Sequence, residues 1–171
     1  MRIKEPNILR YLNLLFLIVF VVFFNYLIAQ KVVYADSLEY QTTPITTNKF
    51  VKGPYPVGRI MANNQTWQII NEPVYFQTYA PRHFSSAQIT LTYRKPVDFS
   101  VKLGVKMKGG EYAFYFLDFL NESEDWQTQT FYFNLSGADF HDNKLQFVVS
   151  APGISTDQNL EIKQTEIILH K

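Results

Sequence analysis

From Phe50 to Lys171 apolar side chains recur at every second position, in short runs broken by Pro, Gly, Asn and Asp. That period places alternate residues on opposite faces of an extended chain, so the pattern predicts antiparallel strands joined by turns. Phe99, Val101, Leu103, Val105 and Met107 share one face while Ser100, Lys102, Lys106 and Lys108 share the other, and Gly109-Gly110 turns the chain. Ile89, Leu91 and Tyr93 alternate with Thr90, Thr92 and Arg94 before Pro96. Phe131, Phe133 and Leu135 form a third such run, and Leu145, Phe147 and Val149 a fourth. Leu160 and Ile162 are out of step with Ile167 and Leu169 by one residue, so a bulge near Gln164-Thr165 is needed for both pairs to face inward. Tyr112 to Leu120 is apolar or aromatic on both faces except at Asp118, which predicts a central strand covered from both sides. With Val74, Phe76 and a short strand near Thr66 to Ile70, the count reaches about eight, as in a two-sheet sandwich or jelly roll. Turn lengths vary widely, which suits crossovers between two sheets better than the uniform hairpins of an up-and-down barrel. The expected fold class is therefore all-β, an antiparallel two-sheet sandwich preceded by one N-terminal hydrophobic helix.

The start of the chain reads differently. Of the 21 residues from Leu9 to Ala29, 15 are Leu, Ile, Val or Phe. On an insertion scale they sum to roughly −7 kcal/mol before penalties for Asn13, Asn25 and Arg10. Residues 9–29 are thus expected to enter the lipid bilayer as a helix. Arg2, Lys4 and Arg10 precede the apolar run and only Lys31 closely follows it, which keeps the N-terminus cytoplasmic and sends the rest across. Two readings stand: a single-pass anchor in the cell membrane, or a signal peptide cleaved after Ala35 that releases a secreted domain. Residues 1–35 form this segment, residues 36–49 a Thr-rich linker expected to stay extended, and residues 50–171 one extracytoplasmic domain.

Beyond residue 35 the chain carries 12 Lys and Arg against 14 Asp and Glu, a net charge of −2. No positive field recruits phosphate backbones, so nucleic acid is not an expected partner. The chain has no Cys. That removes disulfides, lipoprotein anchoring, zinc-thiolate sites and thiol catalysis, and it tilts the reading toward a bacterial envelope protein. His83, His141 and His170 are scattered without metal-ligand spacing, and no nucleophile elbow or phosphate loop occurs, so no enzyme and no cofactor is expected.

Three features carry candidate chemistry, each with a plainer reading beside it. Asp118, Asn121, Glu122, Glu124 and Asp125 offer oxygen ligands to a structural calcium, which takes about six to eight of them; their spacing matches no EF-hand pattern, and an acidic solvated turn is the commoner explanation. A weaker acidic turn spans Ala138 to Asn143. Trp67 and Trp126 sit near predicted strand ends beside polar residues, where indoles either stack on sugar rings or plug the ends of the sandwich. Tyr79 to Phe84 joins two strands and places Tyr79, Arg82 and His83 in one loop, a recognition loop or a turn with a solvated Arg.

The string Pro73-Val74-Tyr75-Phe76 through Phe84 to Tyr93, with Phe147 to Gly153 and the Ile-rich last strand, resembles the outline of galactose-binding-like jelly rolls, which carbohydrate-binding modules share. The chain is also similar to uncharacterised bacterial envelope proteins. The first resemblance spans roughly Thr66 to Lys171 and implies a β-sandwich with a binding role. The expected function is a membrane-tethered extracytoplasmic module that binds glycan. The alternative is a non-catalytic structural subunit that docks on another envelope protein through an aromatic patch. The 20 Phe, Tyr and Trp residues from Phe50 onward serve either role.

Overall fold

Burying one face of each alternating run requires two sheets packed against each other, and this is the arrangement found. The computed structural model describes residues 6–33, 35–46, 48–63, 65–97, 99–116, 123–154 and 160–171. They fall into two units, Met1–Ala35 and Asp36–Lys171. The first is the helix α1 (Pro6–Val33). Its Arg10–Gln30 stretch, of mean hydropathy 2.5, is long and apolar enough to cross a membrane.

The second unit is a sandwich of antiparallel sheets. The strands are β1 (Ser37–Thr42), β2 (Val51–Tyr55), β3 (Ile60–Ala62), β4 (Trp67–Ile69), β5 (Val74–Tyr79), β6 (Ser86–Lys95), β7 (Lys102–Lys106), β8 (Tyr112–Phe116), β9 (Ser123–Asn134), β10 (Lys144–Ser150) and β11 (Leu160–His170). A six-stranded sheet runs β3-β4-β11-β6-β9, with β1 also paired to β11; a five-stranded sheet runs β2-β5-β10-β7-β8. Consecutive strands repeatedly alternate between sheets, as the uneven turns led us to expect. The core lies between the sheets. Ala87, Ile89, Leu91, Tyr93, Phe131, Phe133, Ile167 and Leu169 fill it from one side, and Val74, Phe76, Leu103, Val105, Leu145, Phe147 and Val149 from the other. The β11 register against β6 slips between Ile162 and Gln164, so the extra residue is Lys163, beside the expected position. The slip lets Leu160 and Ile162 face the same core as Ile167 and Leu169.

Two expectations are corrected. Residues 36–49 are not a free linker, because Ser37 to Thr42 pairs residue by residue with His170 to Thr165 and buries Tyr40 and Thr42. Leu38, Tyr40 and Thr42 already alternate with polar neighbours, and β-branched Thr is a good strand former. Nor is the strand beginning at Tyr112 central. It is the edge of the five-stranded sheet, and its outward Phe114 is 42% exposed. Aromatic residues on both faces signalled burial on both, whereas the outward ones cover the sheet's own surface.

Glu39 and Glu166 are diagonal neighbours on the outer face of the β1–β11 pair. Burial first, then the hydrogen bond and charge of Glu39, hold the Glu166 carboxyl above its ordinary value. The folded state then binds the proton more tightly than the unfolded chain. The contribution to stability is complete below the unfolded value and is lost as pH rises through the folded one. Glu166→Gln is therefore expected to raise stability near neutral pH by about 0.5 kcal/mol and to change little near pH 4, where a carboxyl is about half protonated even unfolded. Thermal melts of both proteins at the two pH values check this.

Candidate functional site

The outward positions of the five-stranded sheet carry rings where a solvated sheet normally carries polar groups. Tyr55 lies opposite Tyr75, Tyr75 opposite Val148, Val148 opposite Gly104 and Gly104 opposite Phe114, a single row across all five strands. Tyr112, two residues from Phe114 on the same face, leans back over the row. Its ring is 6.0 Å from that of Tyr75, inclined to it by 29°, and 6.1 Å from that of Phe114. Tyr55 and Tyr75 are 5.5 Å apart. Beneath this layer Val148 is 1% exposed, although it does not belong to the inter-sheet core. Gly104 makes room for it: a Cβ there would sit 3.0 Å from both Phe114 Cδ1 and Val148 Cγ1 and 2.8 Å from the Ala113 carbonyl.

Polar groups border the rings. Gln146 Nε2 donates to the Tyr55 hydroxyl at 2.8 Å, and the Lys52 ammonium stands 5.1 Å from the Tyr55 ring. Gln77 pairs across the strands with Gln146 and with Lys52, and Lys106 with Tyr112. A small cavity of about 100 Å³ continues from there, lined by Gln77, Gln146, Lys106, Asp139, His141 and Lys144, among others. Lys106 Nζ is 3.1 Å from Asp139 Oδ2, and that contact holds the Asp139 carboxyl below its ordinary value. Burial, reinforced by Tyr75 and Tyr55, pushes the Tyr112 phenol up to about 12. It stays a neutral hydroxyl at any physiological pH. The face as a whole offers flat apolar rings ringed by amides, a hydroxyl and ammonium groups. That is the chemistry needed to stack on a ring with apolar C–H faces while bonding its hydroxyls.

The residues singled out in the sequence are dispersed. Tyr79 is on this same face at the end of β5, opposite Lys144, with its ring 5.8 Å from Phe50. His83 is exposed in the following loop, edge-on to Phe140 at 4.8 Å, next to the His141 that lines the small cavity. Ala80 N–H donates to the Asn143 carbonyl at 2.7 Å, which joins the two loops. Arg82 is half-buried, its guanidinium 5.0 Å from the Phe84 ring, so it packs rather than projects. Trp67 is 8% exposed and edge-on to Phe76, so its indole belongs to the core and presents no stacking face. Trp126 lies on the opposite sheet. Asp118, Asn121 and Glu122 fall outside the described residues; Glu124 and Asp125 are exposed on β9. Among the described residues no group of three His, Cys, Asp or Glu side chains is placed to hold a metal. The sequence reading missed Tyr55, Tyr75, Tyr112 and Phe114. The available signal was an aromatic at each outward position next to a core residue, in Val74-Tyr75-Phe76 and Tyr112-Ala113-Phe114.

No family model matches the chain, and no curated protein matches it in sequence. Solved structures do match in fold. The family 29 carbohydrate-binding module from Piromyces equi superposes with TM-score 0.53 at 9% identity, covering 78% of this chain and 91% of that one. The C-terminal family 6 module of a marine laminarinase from Zobellia galactanivorans gives 0.47 at 13% identity, covering 78% of this chain and all of that one, at 100%. A family two carbohydrate esterase from Cellvibrio japonicus gives 0.44 at 11% identity over 79% of this chain, which spans 34% of that enzyme. The neighbours are mostly carbohydrate-binding modules, and the fold resembles theirs.

Proposed function

We propose that this protein is a glycan-binding module, held outside the cytoplasm by α1, whose binding surface is the outer face of the five-stranded sheet. The observation that carries the reading is the row of rings Tyr55, Tyr75, Tyr112 and Phe114, bordered by Gln77, Gln146 and Lys52. Tyr55, Tyr75 and Tyr112 are half-buried and Phe114 is 42% exposed, so beyond shielding Val148 the row leaves aromatic surface in water that an occupant would cover. An open row several strands wide suits a chain of sugars better than one enclosed ligand. The Piromyces equi module, whose fold overlaps this one substantially, is itself named for carbohydrate binding. The function is binding rather than catalysis. For α1, the basic residues Arg2, Lys4 and Arg10 ahead of the apolar run favour a cytoplasmic N-terminus. N-terminal sequencing of the mature protein separates a retained anchor from cleavage after Ala35.

A glycan array probed with the full-length protein in a non-glycosidic detergent tests the main claim. Tyr75→Ala and Tyr112→Ala are each expected to weaken binding about tenfold, equivalent to ~1.4 kcal/mol, with the circular dichroism spectrum unchanged. Because the Tyr112 phenol is held near 12, affinity should stay flat between pH 6 and pH 9. Absence of glycan binding, or binding indifferent to both substitutions, overturns the reading. Recovery of a stoichiometric protein partner in its place supports an envelope-complex subunit.

A further inference from the structure

We propose a second sugar site on the opposite sheet, in a cleft beside Trp126 that takes one or two units of a neutral glycan. It rests on the glycan reading above and would make the domain bivalent. The cleft measures about 630 Å³ and is lined by Asn63, Gln65, Thr66, Arg94, Trp126 and Glu161. Small-ligand pockets run from about 300 to 1,000 Å³.

Four elements meet to build it. Arg94 near the end of β6 lies opposite Glu161 at the start of β11, and its Nη2 donates to both carboxylate oxygens at 2.9 Å. Its guanidinium carbon is 5.2 Å from the centre of the Trp126 indole on β9. The extra residue of the β11 bulge, Lys163, brings its ammonium within 5.7 Å of the same ring. Asn63 Oδ1 accepts the N–H groups of Gln65 at 2.8 Å and Thr66 at 2.7 Å, which sets these three residues together as the remaining wall. Thr66 Oγ1 is buried there with no hydrogen-bond partner among the described residues.

The groups match a pyranose. Trp126 is 36% exposed with Arg94 and Lys163 over its ring, and the part of the indole that they leave open is the apolar surface for the C–H face of the sugar. Vicinal hydroxyls both donate and accept. Arg94 uses one nitrogen on Glu161 and, among the described residues, keeps the N–H groups of Nε and Nη1; the Glu161 oxygens keep lone pairs, the Asn63 amide keeps its NH2 donors, and the Gln65 amide can both donate and accept. Arg94 and Glu161 cancel each other's charge within the lining, and the Lys163 ammonium stands over the Trp126 ring without lining the cleft, so a ligand gains its bonds without bringing a charge of its own. A bulge that re-aims a side chain next to an aromatic and a paired Arg is a local departure from regular pairing of the kind found beside binding sites.

The chain has only two Trp residues, and Trp67 is in the core, so a change in indole emission on titration reports Trp126. The experiment uses full-length protein in a non-glycosidic detergent carrying Tyr75→Ala and Tyr112→Ala, titrated with laminarihexaose, cellohexaose, xylohexaose and, separately, polygalacturonate. Emission is expected to shift saturably with a neutral oligosaccharide, to stop responding in Trp126→Phe, and to need at least threefold more ligand in Gln65→Ala, a surface change that spares the fold. If the unsubstituted protein binds a neutral probe but the platform variant's emission stays constant, the second site is refuted and the first stands. If the unsubstituted protein binds no probe, both fall. A response to polygalacturonate alone refutes the neutral class.

Discussion

Phe147→Ala is expected to destabilise the β-domain by about 3–5 kcal/mol and to lower its melting temperature by roughly 10–15 °C. Phe147 is 0% exposed at the middle of β10, where it lies opposite Phe76 on β5 and Val105 on β7. Its ring meets Phe133 of the other sheet edge-on at 5.6 Å, so one side chain ties the two layers together. Truncation removes the ring's contacts and leaves a space that surrounding strands, held by ladders on both sides, can close only in part. No Cys is present to supply a cross-link that would mask the loss. Gln146→Ala, one residue earlier and facing outward, should cost less than about 1 kcal/mol. It removes the donor to Tyr55, so it should disturb the aromatic face without disturbing the fold. Thermal unfolding of the two variants followed by circular dichroism separates core from face. A loss below about 1 kcal/mol for Phe147→Ala would mean that this ring is not part of a packed inter-sheet core.

How much of this was legible beforehand depends on which interactions are local. Strands β5, β6, β7, β10 and β11 announce themselves because inward and outward residues alternate within a single run. The bulge at Lys163 is legible for the same reason, as a one-residue phase slip between two apolar pairs. What lies between runs is not carried by spacing. Tyr55, Tyr75 and Tyr112 come from three strands distant in sequence, and nothing in the intervals between them says that β10 and β7 will lie between the last two with Val148 and Gly104 small enough to let the rings meet. Trp67 and Trp126 illustrate the same limit from the other side. Both indoles precede or follow polar residues, yet strand phase turns Trp67 into the core and Trp126 toward the outer surface. Near Tyr112 the sequence signal was strong and misleading. Apolar character on both faces means cover on both faces, and it does not say whether the cover is another layer of protein or the aromatic side chains themselves.

Replacing Ser37–Thr42 with a Gly-Ser repeat of equal length is expected to destabilise the sandwich by roughly 3 kcal/mol, from the loss of apolar burial at Leu38 and Tyr40 at ~1.5 kcal/mol or more each. The effect should be local in one respect. β11 lies between β1 and β6 over Thr165 to His170, so its amides alternate between the two neighbours. Those directed at β6 should keep slow hydrogen exchange in the variant, while those directed at β1 become fast. Uniform exchange along β11 would mean instead that the whole sheet opens, and unchanged exchange that β1 adds nothing. The strand also bears on how the domain tolerates either fate of its leader. The Lys171 N–H donates to the Asp36 carbonyl at 3.0 Å, and pairing runs from Ser37 onward. Cleavage after Ala35 would therefore leave every residue of β1 in place. The stability of the β-domain is expected to be the same in the anchored and the released form, and any cut between Ser37 and Thr42 to expose the β11 edge.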